Sequence, residues 1–449
     1  MNKLFGTDGV RGVANTELSP ELAFKLGQAG AFVLTKDVKG TPKILVGKDG
    51  RRSGDMLEAA LTAGLCAIGV EVHQCGVIPT PAVAHLIQKQ GYHAGVMISA
   101  SHNPMEDNGI KFFSHLGLKL PDHVEEEIEA LMGGDMQLPR PTGAGVGAVK
   151  PCPHAIGDYA AFVISTVPNL RLGGMKIALD CANGATSAVA PVVFERLGAE
   201  VLTIHNQPDG CNINANCGST HLESLKAFVV ANQAHLGLAF DGDGDRLLAV
   251  DHMGNTVDGD MIMAICGLDM KAQGRLKDDT IVATVMSNQG LEVFCKSHGI
   301  TLHRAPVGDR YVLEKMLASA LSLGGEQSGH LIFREFNPTG DAILAGAHLL
   351  SALVGKQKTL AELAGQVEVF PQVLINVRVP SHRMADLATC PHIAAAKGEV
   401  EANCTPDERL LLRTSGTEPI IRVMMEGRDL DRITTMAQGL ADVIQARLV

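Results

Sequence analysis

Long apolar runs are missing from this chain of 449 residues. No window approaches the roughly 18 uninterrupted apolar positions of a membrane-spanning helix, so no membrane partner is expected. The opening Met1-Asn2-Lys3-Leu4-Phe5 runs straight into Gly6-Thr7-Asp8-Gly9, with no apolar stretch of signal-peptide length, and a cytoplasmic location is expected. The ten cysteines include no Cys-x-x-Cys pair, the closest two being Cys211 and Cys217. A disulfide framework or zinc site is therefore not expected, and the thiols read as small buried hydrophobes. An excess of positive charge is also lacking: the net charge of −11 argues against nucleic acid as a partner. A phosphate ligand would have to meet a locally basic site, or backbone N–H groups, against that global sign.

Glycine, by contrast, is plentiful at 49 residues, which suits many tight turns. The length exceeds one ordinary core and implies three or four compact units. Short β-branched runs, Gly/Asp/Ser turns and helical segments alternate. Strands are expected at Lys43–Val46, Gly95–Ile98, Lys176–Leu179, Gly237–Phe240, Thr280–Val285 and Val373–Val379. Helices should start at Ser19-Pro20-Glu21, at Ser53 ahead of Met56–Ile68, and at Ser287 ahead of a segment ending at Gly299. Such alternation gives parallel or mixed sheets covered by helices. From about Phe370 the pattern changes to strands, including Leu410–Arg413 and Ile420–Met425, and a terminal helix Asp431–Leu448. The expected fold class is α/β: three similar α/β domains with mixed sheets plus a smaller C-terminal α+β domain. The expected boundaries are 1–153, 154–255, 256–368 and 369–449.

Four segments carry chemistry. Ser99-Ala100-Ser101-His102-Asn103-Pro104 puts serines on a sharp turn after an apolar strand, where one could carry a phosphoryl group. It lacks the Gly-x-Ser-x-Gly pattern of a hydrolase elbow. Asp241-Gly242-Asp243-Gly244-Asp245-Arg246 places three carboxylates at alternate positions, which repel one another unless they share a hard cation. An EF-hand would need Gly and Glu where Arg246 and His252 stand. Three carboxylates suit Mg²⁺ sharing its shell with a phosphate oxygen. Gly325-Glu326-Gln327-Ser328-Gly329-His330 offers groups that bond sugar hydroxyls, with His330 a candidate acid/base. Arg413-Thr414-Ser415-Gly416-Thr417-Glu418-Pro419, with Arg422 beyond it, can surround an anion. Two smaller pieces add cations: Arg11 between glycines in Gly6–Gly12, and Lys111 ten residues past Ser101.

In this order the pieces resemble the α-D-phosphohexomutases, over nearly the whole chain. That family carries an Arg-containing N-terminal turn, a phosphoserine loop, a DGDGDR metal loop, a GE-x-SGH sugar loop and an RxSGTEP-type phosphate loop. The resemblance implies four domains around a central cleft and an intramolecular phosphotransferase of the isomerase class. It implies a phosphoserine at Ser101 and Mg²⁺ held by Asp241, Asp243, Asp245 and an oxygen of that phosphoserine. Arg11, Lys111 and His330 would surround the reacting oxygen. Arg246, Glu326 and Ser328 would contact the substrate, and Arg413, Ser415, Gly416, Thr417 and Arg422 its distal phosphate. Priming by a sugar 1,6-bisphosphate or by autophosphorylation, a small phosphosugar as partner, and a homodimer as one open assembly complete the expectation. Phe5–Gly12, Ile98–Pro104 and Gly325–His330 are similar to a bacterial branch acting on an amino-sugar phosphate. The alternative within the family is a phosphomannomutase/phosphoglucomutase; outside it stand an aspartyl-phosphate phosphatase using Asp241 and a Ca²⁺-binding scaffold.

Overall fold

The apolar runs become the inner strands of four sheets in the computed structural model, which describes residues 4–6, 8–134, 137–415 and 419–449. The first sheet contains β1 (Val10–Val13), β2 (Lys43–Lys48), β3 (Glu71–Val77), β4 (Ala94–Ile98), β5 (Asp107–Ser114) and β6 (Val149–Pro151), in the order β1-β5-β4-β2-β3-β6. The second contains β7 (Lys176–Asp180), β8 (Glu200–Ile204), β9 (Leu236–Phe240), β10 (Leu247–Asp251) and β11 (Thr256–Val257), in the order β11-β10-β9-β7-β8. The third contains β12 (Thr280–Thr284), β13 (Thr301–Ala305), β14 (Leu323–Gly325) and β15 (Leu331–Phe333), in the order β13-β12-β14-β15. These three are mixed, each pairing parallel strands with an antiparallel member. The fourth is antiparallel, β16 (Gln372–Arg378), β17 (Arg409–Thr414) and β18 (Ile420–Glu426), with β18 central.

Every residue of β4, β9 and β12 is buried, as strands covered by helices on both faces must be. One apolar core runs through all three α/β units, joining Leu45 and Met97 to Leu179 and Phe240 and on to Ala283 and Leu323. The C-terminal unit keeps its own core, including Val377, Val423, Ile433 and Ile444. Polar ties reinforce the shared core: Asn337 Nδ2 donates to the Pro81 carbonyl (3.0 Å), and the Tyr159 hydroxyl to Asp341 (2.6 Å). Asp341 also caps the helix Ala342–Lys356, so Asn337–Asp341 is an inter-unit brace.

Local details depart from expectation in several places. Ser19 does cap its helix, accepting from the Leu22 N–H (3.3 Å). Ser53 does not: its helix starts at Arg52 after Arg51, and the Ser53 hydroxyl instead accepts from Asn108. Asn288 replaces Ser287 as cap, because its amide can accept from the Gly290 N–H and donate to the Phe370 carbonyl at once. β11 carries the second sheet past position 255, pairing back onto β10. The helix Pro391–Asn403 was not expected. The cysteines are all free, but only Cys181, Cys217, Cys266 and Cys295 are fully buried; Cys211 is exposed and five are half-buried. No helix among the described residues is long and apolar enough to cross a membrane.

Two glycines let the helices Pro20–Thr35 and Arg52–Ala67 touch backbone to backbone. A Cβ on Gly64 would lie 2.2 Å from the Phe24 carbonyl oxygen, and one on Gly27 2.4 Å from that of Leu61. Helix propensity alone would make Gly64→Ala stabilising by about 1 kcal/mol. Because backbone cannot move aside as a side chain can, we expect a net destabilisation of about 1–3 kcal/mol instead, read from urea midpoints. His348 supplies a pH-dependent term. It is stacked against Phe333 and Phe336, and burial, with Arg275 nearby, pulls its pKa from 6.5 down to about 3. The unfolded chain therefore binds a proton in that window while the folded chain does not, so stability is full above pH 6.5 and is lost as pH falls towards 3. His348→Phe should flatten the decline of Tm between pH 7 and pH 4.

Candidate active site

The turns after β2, β4 and β9 converge at the carboxyl ends of their strands, where open α/β sheets collect ligands. Ser101, three residues beyond β4, is buried and has φ of +51°, a left-handed conformation uncommon for serine. Surrounding groups hold the loop there. The Ser101 N–H donates to Ser99 Oγ (2.9 Å), which donates to Asp49 Oδ2 (2.6 Å). The buried Arg51 guanidinium pairs with Asp49 (2.9 Å) and donates to the carbonyls of Ser101 and Asn103, both at 2.9 Å. From the second unit, Asn214 Nδ2 donates to the same two carbonyls (2.8 and 3.0 Å). The Ser101 side chain is thereby aimed at the metal loop, its Oγ donating to Asp241 Oδ2 at 2.6 Å.

Glycine makes that approach feasible. A Cβ on Gly242 would stand 2.5 Å from the Ser101 carbonyl oxygen, and one on Gly184 2.4 Å from the Gly242 carbonyl oxygen. Asp241 Oδ1 accepts from the N–H groups of Gly244, Asp245 and Arg246 (3.1, 3.1 and 3.2 Å), folding the loop around its own first carboxylate. One oxygen each of Asp241, Asp243 and Asp245 lie within 4.8 Å of one another. All three residues are buried, yet Asp243 Oδ1 and Asp245 Oδ1 have no hydrogen-bond partner. Burial, followed by the neighbouring carboxylates, pushes Asp241 well above its ordinary pKa; Asp245 is raised by burial and Asp243. Asp243 goes the other way: burial opposes its charge, but Lys111 and the Thr80 hydroxyl, which donates to Asp243 Oδ2 (2.6 Å), together outweigh it. Unpaired oxygens and surplus buried negative charge are what a hard divalent cation relieves, so the donor set fits Mg²⁺.

Cations stand opposite. Lys111 on β5, in register with Met97 of β4, is buried and donates to Asp243 Oδ2 (3.0 Å) while pairing with Asp8 (3.0 Å). Burial works against its charge, but Asp243 and Asp8 more than offset that and hold the ammonium above its ordinary range. Arg11 on β1 pairs with Asp8. Lys119 joins Asp8 to Asp309 of the third unit, 2.6 Å to each, and His330 Nε2 lies 3.7 Å from Asp309. The Gly340 N–H also points at His330 Nε2 (3.3 Å), and the buried Nδ1 has no hydrogen-bond partner. His102 is pushed down to about 4 by burial, then by Arg246 and Arg11, and stands neutral 3.3 Å from Ser101 Oγ.

The remaining expected residues fall in two places. Glu326 and Ser328 occupy the turn between antiparallel β14 and β15, Glu326 accepting from the Gly308 N–H (3.2 Å) and from Ser328 Oγ (3.5 Å). Arg246 bridges to His330 through backbone pairing, which brings residues 241–246 and 325–330 together, and its Nε lies 4.0 Å from Asp245 Oδ1 without a hydrogen bond. Arg413 and Arg422 face each other across β17 and β18, and the Ser415 N–H donates to the Ile420 carbonyl (2.8 Å). Gly416 and Thr417 lie outside the described residues. The C-terminal unit is seated on the third by Arg409, which pairs with buried Glu426 and donates to the carbonyls of Val285 (2.9 Å) and Ser287 (3.0 Å). Sequence reasoning missed Asp49, Arg51, Thr80, Lys119, Asn214 and Asp309 as site residues. For Asp49 and Arg51 a signal existed, a polar turn directly after a predicted strand; Asn214 and Asp309 acquire their partners only by folding. A second cluster, Asp180, His205 and Cys217, is a turn brace: Asp180 accepts from the N–H groups of Ala182 and Gly218 (both 3.0 Å) and pairs with His205 (3.0 Å).

A serine aimed at a triad of metal-type carboxylates, flanked by sequestered cations, on three fused α/β units with paired arginines on a fourth, defines a phosphoryl-transfer site. Family models for phosphoglucomutase/phosphomannomutase α/β/α domains I, II and III match residues 2–138, 158–254 and 258–370, and the C-terminal domain model matches 374–443. The chain belongs to the phosphoglucomutase/phosphomannomutase family. Among curated relatives, the phosphoglucosamine mutases of Acetivibrio thermocellus and Ruminiclostridium cellulolyticum are 54% and 53% identical, each aligned over 100% of both chains. Among solved structures, a phosphoglucomutase/phosphomannomutase family protein from Burkholderia thailandensis superposes with TM-score 0.83 at 22% identity, covering 99% of this chain and 98% of that one. An Aspergillus fumigatus N-acetylphosphoglucosamine mutase in complex with GlcNAc-6P and magnesium gives 0.67 at 16% identity, covering 99% and 96%.

The Gly184 contact gives a test of the cation site that needs no turnover. Gly184→Ala must displace the Gly242 carbonyl and with it the carboxylates on either side. Mn²⁺ binding followed by electron paramagnetic resonance should weaken about 10–100-fold, the usual effect of losing support behind ligands, with the circular dichroism spectrum unchanged.

Proposed function

We propose that the chain catalyses the phosphoglucosamine mutase reaction, interconverting glucosamine 6-phosphate and glucosamine 1-phosphate through a phosphoserine at Ser101. The hydrogen bond from Ser101 Oγ to Asp241, first of the three converged carboxylates, carries this reading. Phospho-Ser101 donates its phosphoryl group to the C1 hydroxyl of glucosamine 6-phosphate. The resulting 1,6-bisphosphate turns over in the cleft, and return of its other phosphoryl group to Ser101 releases glucosamine 1-phosphate, a precursor for UDP-N-acetylglucosamine and cell-wall synthesis. Asp241, Asp243 and Asp245 would hold Mg²⁺, which offsets charge on the transferring group.

Phosphoserine would add about −1.5 to −2 charge beside three aspartates at neutral pH. The buried Lys111 ammonium, with Arg11 and Arg246, supplies fixed positive charge against it. Held as an ammonium, Lys111 enters as fixed positive charge against the transferring group, and His330, 3.7 Å from Asp309, is placed to hold a sugar oxygen. Glu326 and Ser328 bond sugar hydroxyls, and Arg413, Ser415 and Arg422, with Gly416 and Thr417, clamp the distal phosphate. The clamp belongs to the unit with its own core, attached to the third largely through Arg409 and Asn288, so it can close over the bisphosphate without unpacking the other three. Priming requires a sugar 1,6-bisphosphate or autophosphorylation.

A coupled assay should compare glucosamine, glucose and mannose 6-phosphates with Mg²⁺ and a trace of bisphosphate sugar. The amino sugar should be preferred; a preference for glucose or mannose phosphate would keep the mechanism and replace the substrate. Ser101→Ala should fall to background with its fold intact, and appreciable turnover in it would remove the phosphoserine. Lys111→Met should lower kcat about 10²–10³-fold, the range for losing one preorganised group that stabilises transition-state charge.

A further inference from the structure

On the far side of β2 from the Ser101 loop, two thiols distant in sequence meet. β3 and β6 run parallel with Gln74 opposite Pro151, and the Cys152 N–H donates to the Gln74 carbonyl (2.8 Å). The next residue on each strand is a cysteine, Cys75 and Cys152. β3 also carries a bulge against β2: Val46 pairs with Gln74 and Gly47 with Gly76, leaving Cys75 as the extra residue. Bulges re-aim side chains, and this one leaves Cys75 beside the end of β6, where Cys152 follows Pro151. Adjacent strands lie about 4.8 Å apart, inside the Cα separation of about 4.4–6.8 Å that a disulfide accepts.

Around Cys152 the groups are ordered as around a nucleophilic thiol. His73 Nδ1 is 3.8 Å from Cys152 Sγ, and the Tyr92 hydroxyl is 3.6 Å from the sulfur and 3.0 Å from the same ring nitrogen. The other nitrogen, Nε2, meets Glu71 at 2.7 Å, and Lys150 pairs with Glu71 at 2.6 Å. Glu71 thus orients the imidazole so that Nδ1 faces the Tyr92 hydroxyl and the Cys152 thiol, the order of groups that activates nucleophiles elsewhere. The His73 and Glu71 side chains are 16% and 15% exposed, so a small solute can reach them. Neighbouring Cys75, with Tyr92 and His73, holds the Cys152 thiol below its ordinary range against burial. Cys75 moves up, through Cys152 beside it, through burial and through Glu58 on the neighbouring helix. Phosphoryl transfer uses none of these residues.

We propose that Cys152 and Cys75 are a redox-active pair: Cys152, activated by His73 and Glu71, reacts with a peroxide, and Cys75 resolves the product to a cross-strand disulfide. In the first step the Cys152 thiolate attacks the peroxide, the O–O bond breaks, and Cys152 becomes a sulfenic acid while the peroxide leaves as water or an alcohol. In the second, Cys75 sulfur displaces hydroxide from that sulfenic acid, giving the disulfide and a second water. The two thiols lose two electrons and the peroxide gains them. The bond would fasten β6, whose end leads directly into the helix Ala155–Thr166 of the second unit, to β3 of the first.

Alkylation by iodoacetamide, with peptide mass spectrometry and N-acetylcysteine as reference in the same tube, tests the thiol. A comparison at one pH is uninformative, because a thiolate of low pKa is more abundant but intrinsically less nucleophilic. The slope discriminates. Between pH 8 and pH 6 the reference should slow towards about tenfold per unit, and Cys152 by less than about threefold overall. A Cys152 slope matching the reference, or no alkylation of Cys152, would overturn the proposal. His73→Gln should restore the reference slope; an unchanged slope would remove His73 as the base. Exposure to hydrogen peroxide followed by N-ethylmaleimide should yield one linked Cys75–Cys152 peptide that dithiothreitol releases, and Cys75→Ser should instead leave Cys152 trapped by dimedone. Cross-links elsewhere, or none, would exclude the pair.

Discussion

Three carboxylates sealed away from water dominate this protein, and much of its architecture answers the need to neutralise them. A buried ionised group is tolerated only when paired, protonated or bound to a cation. Asp243 is paired with Lys111, and Lys111 is shared with Asp8. Asp8 is in turn shared with Lys119, and Lys119 with Asp309. This alternation of charge threads all three α/β units, so the local demand at one loop becomes a constraint on how the units pack. The oxygens left over on Asp243 and Asp245 mark where the compensation is incomplete and a divalent ion belongs.

The same loop explains the close approaches of backbone. Ser101 can reach Asp241 only because Gly242 has no side chain and because the serine is held left-handed. Arg51 and Asn214 hold that conformation from two different units by capturing the same carbonyl oxygens. Strain at a reactive residue persists where its surroundings over-determine it, and here two units share that task. The continuous core beneath them keeps the geometry rigid. The C-terminal unit is built differently. Its core is separate, and it is seated on the third unit by polar contacts of Arg409.

Thiols illustrate the opposite relation between sequence and structure. Spacing along the chain singled out Cys211 and Cys217 as nearest neighbours. The pair that meets is Cys75 and Cys152, because a bulge and a parallel register bring two distant strands level. Reading all ten cysteines as buried hydrophobes fails because burial is set by where each residue packs: Cys211 is in an exposed loop and Cys390 and Cys404 flank a surface helix.

The sequence by itself determined the periodicity of the strands and helices, the change of pattern near Phe370, and the loops at Ser101, Asp241, Glu326 and Arg413. Each of these is local: a strand, a turn or a repeated carboxylate is written within a few consecutive residues. It also pointed to a cation, because three alternating aspartates repel one another in any fold. Tertiary structure alone decided the rest. Asp49 and Arg51 became supports of the serine loop, Asn214 and Asp309 gained partners in other units, and Asn288 displaced Ser287 as a cap because Phe370 lay within reach of its amide. A pairing energy between residues far apart in the chain exists only after folding has closed the loop between them, and no pattern of neighbouring residues encodes which partners will meet.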